Sequence, residues 1–257
     1  MKDSDNVYLV SDISRLMMNA IQHEGSFKPL EFITSFTEIL KNGNLFIPGF
    51  VNTLKDGDAI DMRTLKPETG GLSKEAFHQF KKGLCARTND PFHSFFIYGK
   101  DAGKIVETTF NNRDTFGPQS AFGYLHQNKG ILFMMDLELY YGFTFAHYVE
   151  QQARAGYRMN TSYSLKFTDI KGNTSVTNFN IYAKKRGYIP VLNSLLQPLI
   201  DHMALEIIHI NDVSIYRIDL EKAYKVLEDD ILNNKAQNLI DFSLSLYLKQ
   251  TVKKITR

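Results

Sequence analysis

Cysteine is almost missing from this 257-residue chain, with Cys85 standing alone. That excludes an internal disulfide and a cysteine-based zinc site. No stretch approaches the length of a membrane span. The N-terminus lacks a basic segment followed by a continuous apolar run, so no secretory signal is expected and the cytoplasm is the default location. Charge of one sign is scarce too. The formal net charge is +2, so neither nucleic acid nor an anionic membrane is an expected partner. The basic end formed by Lys249, Lys253, Lys254 and Arg257 reads as a solvated helix end whose side chains complement the helix dipole. No Gly-x-Ser-x-Gly nucleophile elbow is present and Cys85 lacks an activating context, which makes a hydrolase a poor reading. His23, His78, His126, His202 and His209 show no ligand spacing, and no metal is expected.

What is present is an ordinary globular composition, 43% apolar and 23% charged, with enough residues to enclose a small-molecule site. The richness in Phe (19) and Met (8) reads as core packing. The run Val7, Tyr8, Leu9, Val10 reads as a short buried strand, with Ser11 or Asp12 as cap of a helix over 15–21. A second helix fits 29–40, and the run Leu45, Phe46, Ile47, Pro48 reads as the next strand. Alternation of this kind predicts an α/β sheet. Residues 49–72 read as a long loop of the sort that is often functional. A helix over 73–82 and a strand over 94–98 follow. Beyond Arg158 the pattern changes: 162–167 and 176–182 flank Lys171-Gly172-Asn173, a hairpin signal. A helix over 192–202, strands over 206–210 and 213–218, and helices over 220–232 and 236–249 complete the expectation.

The most informative segment is Gly142-Phe143-Thr144-Phe145-Ala146-His147-Tyr148-Val149-Glu150, just after the apolar run Ile131-Leu132-Phe133-Met134-Met135. Residues three apart on a helix are neighbours, so Glu150 can orient the His147 imidazole. A histidine beyond the carboxyl end of a core strand, backed by a carboxylate, suits a general base. An exposed ion pair and a packed histidine fit the same spacing.

Six pieces in order resemble the aminoglycoside 3-N-acetyltransferase family. They are Tyr8-Leu9-Val10-Ser11-Asp12, Gly43-Asn44-Leu45-Phe46-Ile47-Pro48, Gly71-Leu72-Ser73-Lys74-Glu75-Ala76-Phe77, Ala86-Arg87-Thr88-Asn89-Asp90-Pro91-Phe92-His93-Ser94-Phe95, Phe116-Gly117-Pro118-Gln119-Ser120 and the His147 segment itself. They span residues 8–158, with continuation towards the C-terminus. The resemblance implies one acyltransferase domain over 1–257 with a three-layer α/β fold. A central mixed sheet would carry helices on both faces and a C-terminal antiparallel hairpin region, with 159–219 as a β-rich subdomain.

The resemblance also implies acyl-CoA as co-substrate and direct attack of an amine on the thioester. His147 would remove the proton and Glu150 would hold the tautomer. Thr144 and nearby backbone N–H groups are candidates for the developing oxyanion. Ser11 and Ser14, at a strand-to-helix turn, suit a CoA phosphate or pantetheine arm, though a plain serine cap reads as well. Ser94 joins them as a CoA candidate. His93, Glu75, Asp90, Tyr141 and Arg113 are the substrate candidates. His93 equally suits a structural role at a strand start, and Glu75 a first-turn carboxylate.

The pattern departs from the family where Asp90-Pro91 follows Arg87-Thr88-Asn89, a place where members often carry His-Pro or Asn-Pro after an Arg-Ser pair. Extended acidic runs, which would favour a polycationic aminoglycoside, are lacking. The aromatic stretch Tyr140-Tyr141-Gly142-Phe143-Thr144-Phe145 is similar to a branch that N-acylates nucleotide-linked amino sugars for bacterial surface polysaccharides. That branch implies an acetyl or 3-hydroxybutanoyl donor and a dTDP-linked 3-amino-3,6-dideoxyhexose acceptor. Tyr140, Tyr141, Arg113 and Arg158 would be available to its rings and diphosphate. An aminoglycoside acetyltransferase and a non-catalytic binding protein remain the alternatives. Apolar C-terminal helices would support a homo-oligomer.

Overall fold

Val7, Tyr8 and Leu9, like the run from Ile131 to Met135, have no polar face to offer water, and strands of that kind need cover on both sides. The computed structural model describes residues 1–255, with side chains as far as Val252. Arg257 and the side chains of Lys253 and Lys254, part of the expected basic helix end, lie outside the described residues.

The strands in chain order are β1 (Asn6–Ser11), β2 (Asn44–Phe50), β3 (Ala59–Asp61), β4 (Ala86–Arg87), β5 (His93–Gly99), β6 (Ile131–Met135), β7 (Arg158–Thr168), β8 (Thr174–Lys184), β9 (Tyr188–Pro190), β10 (Leu205–Ile210), β11 (Val213–Asp219) and β12 (Ile240–Phe242). The helices are α1 (Ser14–Glu24), α2 (Pro29–Ile39), α3 (Gly71–Lys81), α4 (Ala102–Thr109), α5 (Ala121–Gln127), α6 (Leu139–Gly142), α7 (Phe145–Gln152), α8 (Leu196–Asp201), α9 (Leu220–Asn233) and α10 (Leu244–Ile255).

Seven strands form the central sheet in the order β10-β11-β6-β1-β2-β5-β4. Its middle is parallel, with Val7 opposite both Leu45 and Ile131. Both margins are antiparallel, β11 against β6 and β5 against β2. Side chains alternate across the sheet. Tyr8, Phe46, Phe95 and Leu132 face α4, α5, α7 and α9, whereas Val7, Leu9, Leu45, Ile47 and Phe96 face α2 and α3. This is the mixed, three-layer arrangement expected. Because β1 has a parallel neighbour on each side, the sheet's switch point lies at its carboxyl end, where α/β proteins place ligands.

Three expectations are corrected. Residues 159–219 do not stay together: the β7–β8 hairpin joins β3 in a separate three-stranded sheet, while β10 and β11 complete the central one. The loop over 49–72 is held down from within, and it contributes β3. Arg87, with no exposed surface, donates Nη1 to Met62 O at 2.9 Å and to Leu65 O at 2.6 Å.

The helix expected over 236–249 gives way to a turn, β12 and then α10. Lys235 and Ala236 adopt positive φ, 55° and 57°. The buried Asp230 carboxylate accepts from Asn238 N at 3.1 Å and Nδ2 at 2.7 Å, bending the chain back. Asp219 caps α9 by accepting from Lys222 N–H at 3.1 Å. Replacing Asp219 by alanine is expected to cost about 1 kcal/mol, read as a lower urea midpoint with unchanged slope.

Candidate active site

Helix α7 is fixed by Phe143, Phe145, Ala146 and Val149, all buried in the sheet's larger core. Helical spacing then sets His147 and Glu150 side by side. The His147 side chain is 27% exposed and that of Glu150 only 1%. Imidazole Nδ1 lies 2.7 Å from Glu150 Oε2. After Gln152 the chain turns tightly, with Ala155 N–H donating to Glu150 O at 2.9 Å and Arg154 at φ 54°. That turn returns Tyr157 and Arg158 to the dyad. The Tyr157 hydroxyl donates to Glu150 Oε1 at 2.9 Å. Arg158 places Nε 2.5 Å from Glu150 Oε2, Nη2 2.8 Å from His147 Nδ1, and Nη1 3.1 Å from Tyr182 O.

Burial alone would raise the Glu150 carboxyl, yet His147 and Arg158 together hold it below its ordinary range. Burial lowers the His147 imidazole, the Arg158 charge lowers it further, and Glu150 only partly opposes them. A depressed imidazole is neutral at neutral pH and free to accept a proton. His93 stands nearby, its ring 4.7 Å from Phe50 and 4.9 Å from Phe116, whose own ring lies 5.5 Å from His147. Burial, then the His147 charge, push His93 down to about 3. It therefore stays neutral. Its Nδ1 is buried without a protein partner.

A slot of about 70 Å³ opens at the carboxyl ends of β1 and β2, lined by Ser11, Thr69, Gly70, Ser73, Tyr141 and Thr144 against Leu9, Ile47, Pro48, Phe50 and Leu72. Hydroxyls on apolar walls suit a slender ligand that carries both apolar and polar groups. Thr144 precedes α7 and Phe50 touches His93, so the slot adjoins the helix that carries His147. A larger recess of about 610 Å³ lies by α8 and α9 and contains none of these residues.

The remaining candidates separate. Ser14 is exposed at the start of α1, and its N–H already donates to Asp12 Oδ1 at 2.9 Å. The cap position is Ile13, not Ser11 or Asp12. Tyr141, 70% exposed, rims the slot. Asp90 supports the turn into β5, accepting from Phe92 N–H at 2.8 Å and His93 N–H at 2.9 Å. Two residues are set apart from the dyad by the sheet. Ser94 follows His93 on β5 and so points to the opposite face, fully buried, donating to Gly49 O at 2.9 Å and accepting from Arg87 Nε at 3.1 Å. Glu75 sits on α3, behind the sheet, and pairs with Gln79.

Arg113 donates to Phe110 O and Asn112 O, both at 2.9 Å, and stacks on Phe179. Arg158, considered for a diphosphate, is instead committed to Glu150 and His147. Tyr157 went unsuspected in the sequence, as did Tyr8, whose buried hydroxyl lies against Thr144. Backbone N–H groups of Thr144, Ala146 and His147 are already used within their turn, and the Thr144 hydroxyl is an oxyanion candidate there. Among the described residues no helix is long and apolar enough to cross a membrane.

The sequence profile of the family described as Aminoglycoside 3-N-acetyltransferase matches residues 18–229. Solved structures share the fold. Aminoglycoside acetyltransferase AAC(3)-Xa superposes with a TM-score of 0.68 at 14% identity, over 91% of this chain and 89% of that one. AAC-IIIb, solved as a binary complex with CoASH, gives 0.71 at 13% identity, over 94% and 92%. YokD from Bacillus subtilis gives 0.69 at 15% identity, over 92% and 90%. No curated protein matches the chain by sequence.

Proposed function

The chain belongs to the aminoglycoside 3-N-acetyltransferase family, and from that premise we propose that it moves an acetyl or 3-hydroxybutanoyl group from acyl-CoA to the amine of a dTDP-linked 3-amino-3,6-dideoxyhexose. Membership makes it an acyl-CoA-dependent N-acyltransferase. The observation that carries the mechanism is the His147–Glu150 dyad, on the helix whose N-cap residue, Thr144, lines a hydroxyl-bearing slot.

With its Nδ1–H donated to Glu150 Oε2, His147 keeps the Nε2 lone pair free. Nε2 takes the proton of the acceptor amine as the nitrogen bonds to the thioester carbon. The same proton passes to the departing thiolate as the carbon–sulfur bond breaks, so CoA leaves as the thiol. Thr144 supplies a hydrogen bond to the carbonyl oxygen while it carries negative charge. A neutral His93 beside the dyad adds a polar contact without competing for the proton. No covalent acyl-enzyme is needed, because an amine attacks a thioester unaided once deprotonated.

The acceptor class rests on the absence of acidic runs and on the aromatic pair Tyr140–Tyr141, both exposed, of which Tyr141 lines the slot and Tyr140 packs against Tyr141. Exposed aromatic faces suit a sugar or a base. Such nucleotide sugars are cytoplasmic compounds, which is where this reading places the enzyme.

The test is thiol release from acetyl-CoA and 3-hydroxybutanoyl-CoA with two acceptor sets, dTDP-3-amino-3,6-dideoxyhexoses and kanamycin-type aminoglycosides. Release with the nucleotide sugars is the expected result and names the donor. Release confined to the aminoglycosides would replace this acceptor with the family's namesake class. No release above a His147→Ala control with any pair would favour a binding protein on the same fold.

A further inference from the structure

A histidine paired with a buried carboxylate has a difficulty as a base. An opposite charge within hydrogen-bond distance favours the imidazolium and raises its pKa by about 1–3 units. Left alone, Glu150 would keep His147 partly protonated at neutral pH and unable to take the acceptor's proton. The third charge in the cluster removes the difficulty. Arg158 is 7% exposed, and its guanidinium is clamped at three points: Glu150 Oε2 at 2.5 Å, His147 Nδ1 at 2.8 Å and Tyr182 O at 3.1 Å.

Nδ1 has a single in-plane position and cannot both donate to Glu150 and accept from Arg158. When the proton lies on Nδ1, which the base requires, the Arg158 contact acts on the ring as charge alone. The other titratable groups around the ring do not supply that charge. His93 is held neutral by burial, and Tyr157 and Tyr182 are phenols raised by burial. Lys184 stands on β8 beyond Arg158 and senses it.

We propose that Arg158 is a positioning residue of the transfer reaction: its guanidinium neutralises Glu150, so that the carboxylate orients the His147 imidazole without charging it. This inference rests on the reading of His147 as the base. The structure thus contains a balanced triad of base, carboxylate and guanidinium, in which the orienting bond and the protonation state are set by different partners.

The test needs no acceptor or acyl donor, so it can fail or succeed independently of the proposed substrate. The pKa of His147 is read by NMR from its ring carbon-bound protons in the unliganded protein, with the signal assigned by its loss in His147→Asn. Arg158→Gln is expected to raise that pKa by about one unit or more, and Arg158→Lys to keep it within about half a unit of wild type. Should Arg158→Gln not fold, comparing Glu150→Gln with Glu150→Gln/Arg158→Gln, which carries no lone buried charge, isolates the effect of the guanidinium. The double variant is expected to lie about one unit above the single one. A merely structural Arg158 would leave the pKa where it was. An unchanged or lowered value in Arg158→Gln, or equal values in the Glu150→Gln pair, would overturn the proposal.

Discussion

Replacing His147 by alanine is expected to lower kcat for acyl transfer by about 10²–10⁴-fold, the range seen when a positioned acid–base group is removed. CoA binding should change little, because the slot is lined by Ser11, Thr69, Ser73 and Thr144 and not by the imidazole. Stability should change little as well, since the side chain is 27% exposed. The combination separates loss of chemistry from loss of fold. Kinetics at saturating acyl-CoA, with a calorimetric CoA titration of the same variant, reads both. A variant that keeps kcat, or loses it together with CoA affinity, would show that His147 is not the base.

Glu150→Ala is expected to have the largest effect on the fold itself. Its carboxylate is 1% exposed and serves three partners: His147 Nδ1, Arg158 Nε and the Tyr157 hydroxyl. Removing it leaves the Arg158 cation, 7% exposed, without a counter-ion. Breaking a buried pair in this way typically costs about 3–5 kcal/mol, which for a chain of this size lowers Tm by roughly 10 °C. Thermal unfolding followed by circular dichroism measures it. Transfer activity should fall too, since the imidazole loses the bond that fixes its tautomer.

The sign of the pH dependence follows from the same contacts. The folded Glu150 carboxyl lies below its ordinary range, so its stabilisation is present above the unfolded value and is lost as pH falls through the folded one. Acid unfolding of wild type should therefore be steeper than that of Glu150→Gln. A Tm unchanged within a degree in Glu150→Ala would mean that the three bonds contribute little.

Much of the scaffold was legible because its signals are local. Val7, Tyr8 and Leu9, and the run Ile131–Met135, are apolar without alternation, and only a strand covered on both faces can use them. The His147–Glu150 pair was legible for the same reason, since three residues on a helix fix the distance. Ser94 shows the limit of reading a motif as a block. It adjoins His93 in the sequence, but alternation along β5 sends the two side chains to opposite faces of the sheet.

Glu75 was misplaced for a related reason, because nothing in its helix says which face of the sheet α3 covers. In the sequence Arg158 reads only as one of several side chains available to a diphosphate. Its true partners come from a turn whose left-handed residue, Arg154, carries no glycine to announce it. The helix expected at 236–249 failed for want of a tertiary fact, the pairing of Ile240–Phe242 with Tyr188–Pro190. Short strands of that kind depend on their partner rather than on their own sequence.

The central claim is direct transfer, with the amine attacking the thioester while His147 takes its proton. Intact-protein mass spectrometry tests it most directly, by mixing the enzyme with acetyl-CoA first alone and then with the acceptor. The account predicts no acetyl mass on the chain before the amine is added, with CoA release and acetylated acceptor appearing together afterwards. An acetyl adduct that forms on the chain without amine and is consumed when amine arrives would contradict it.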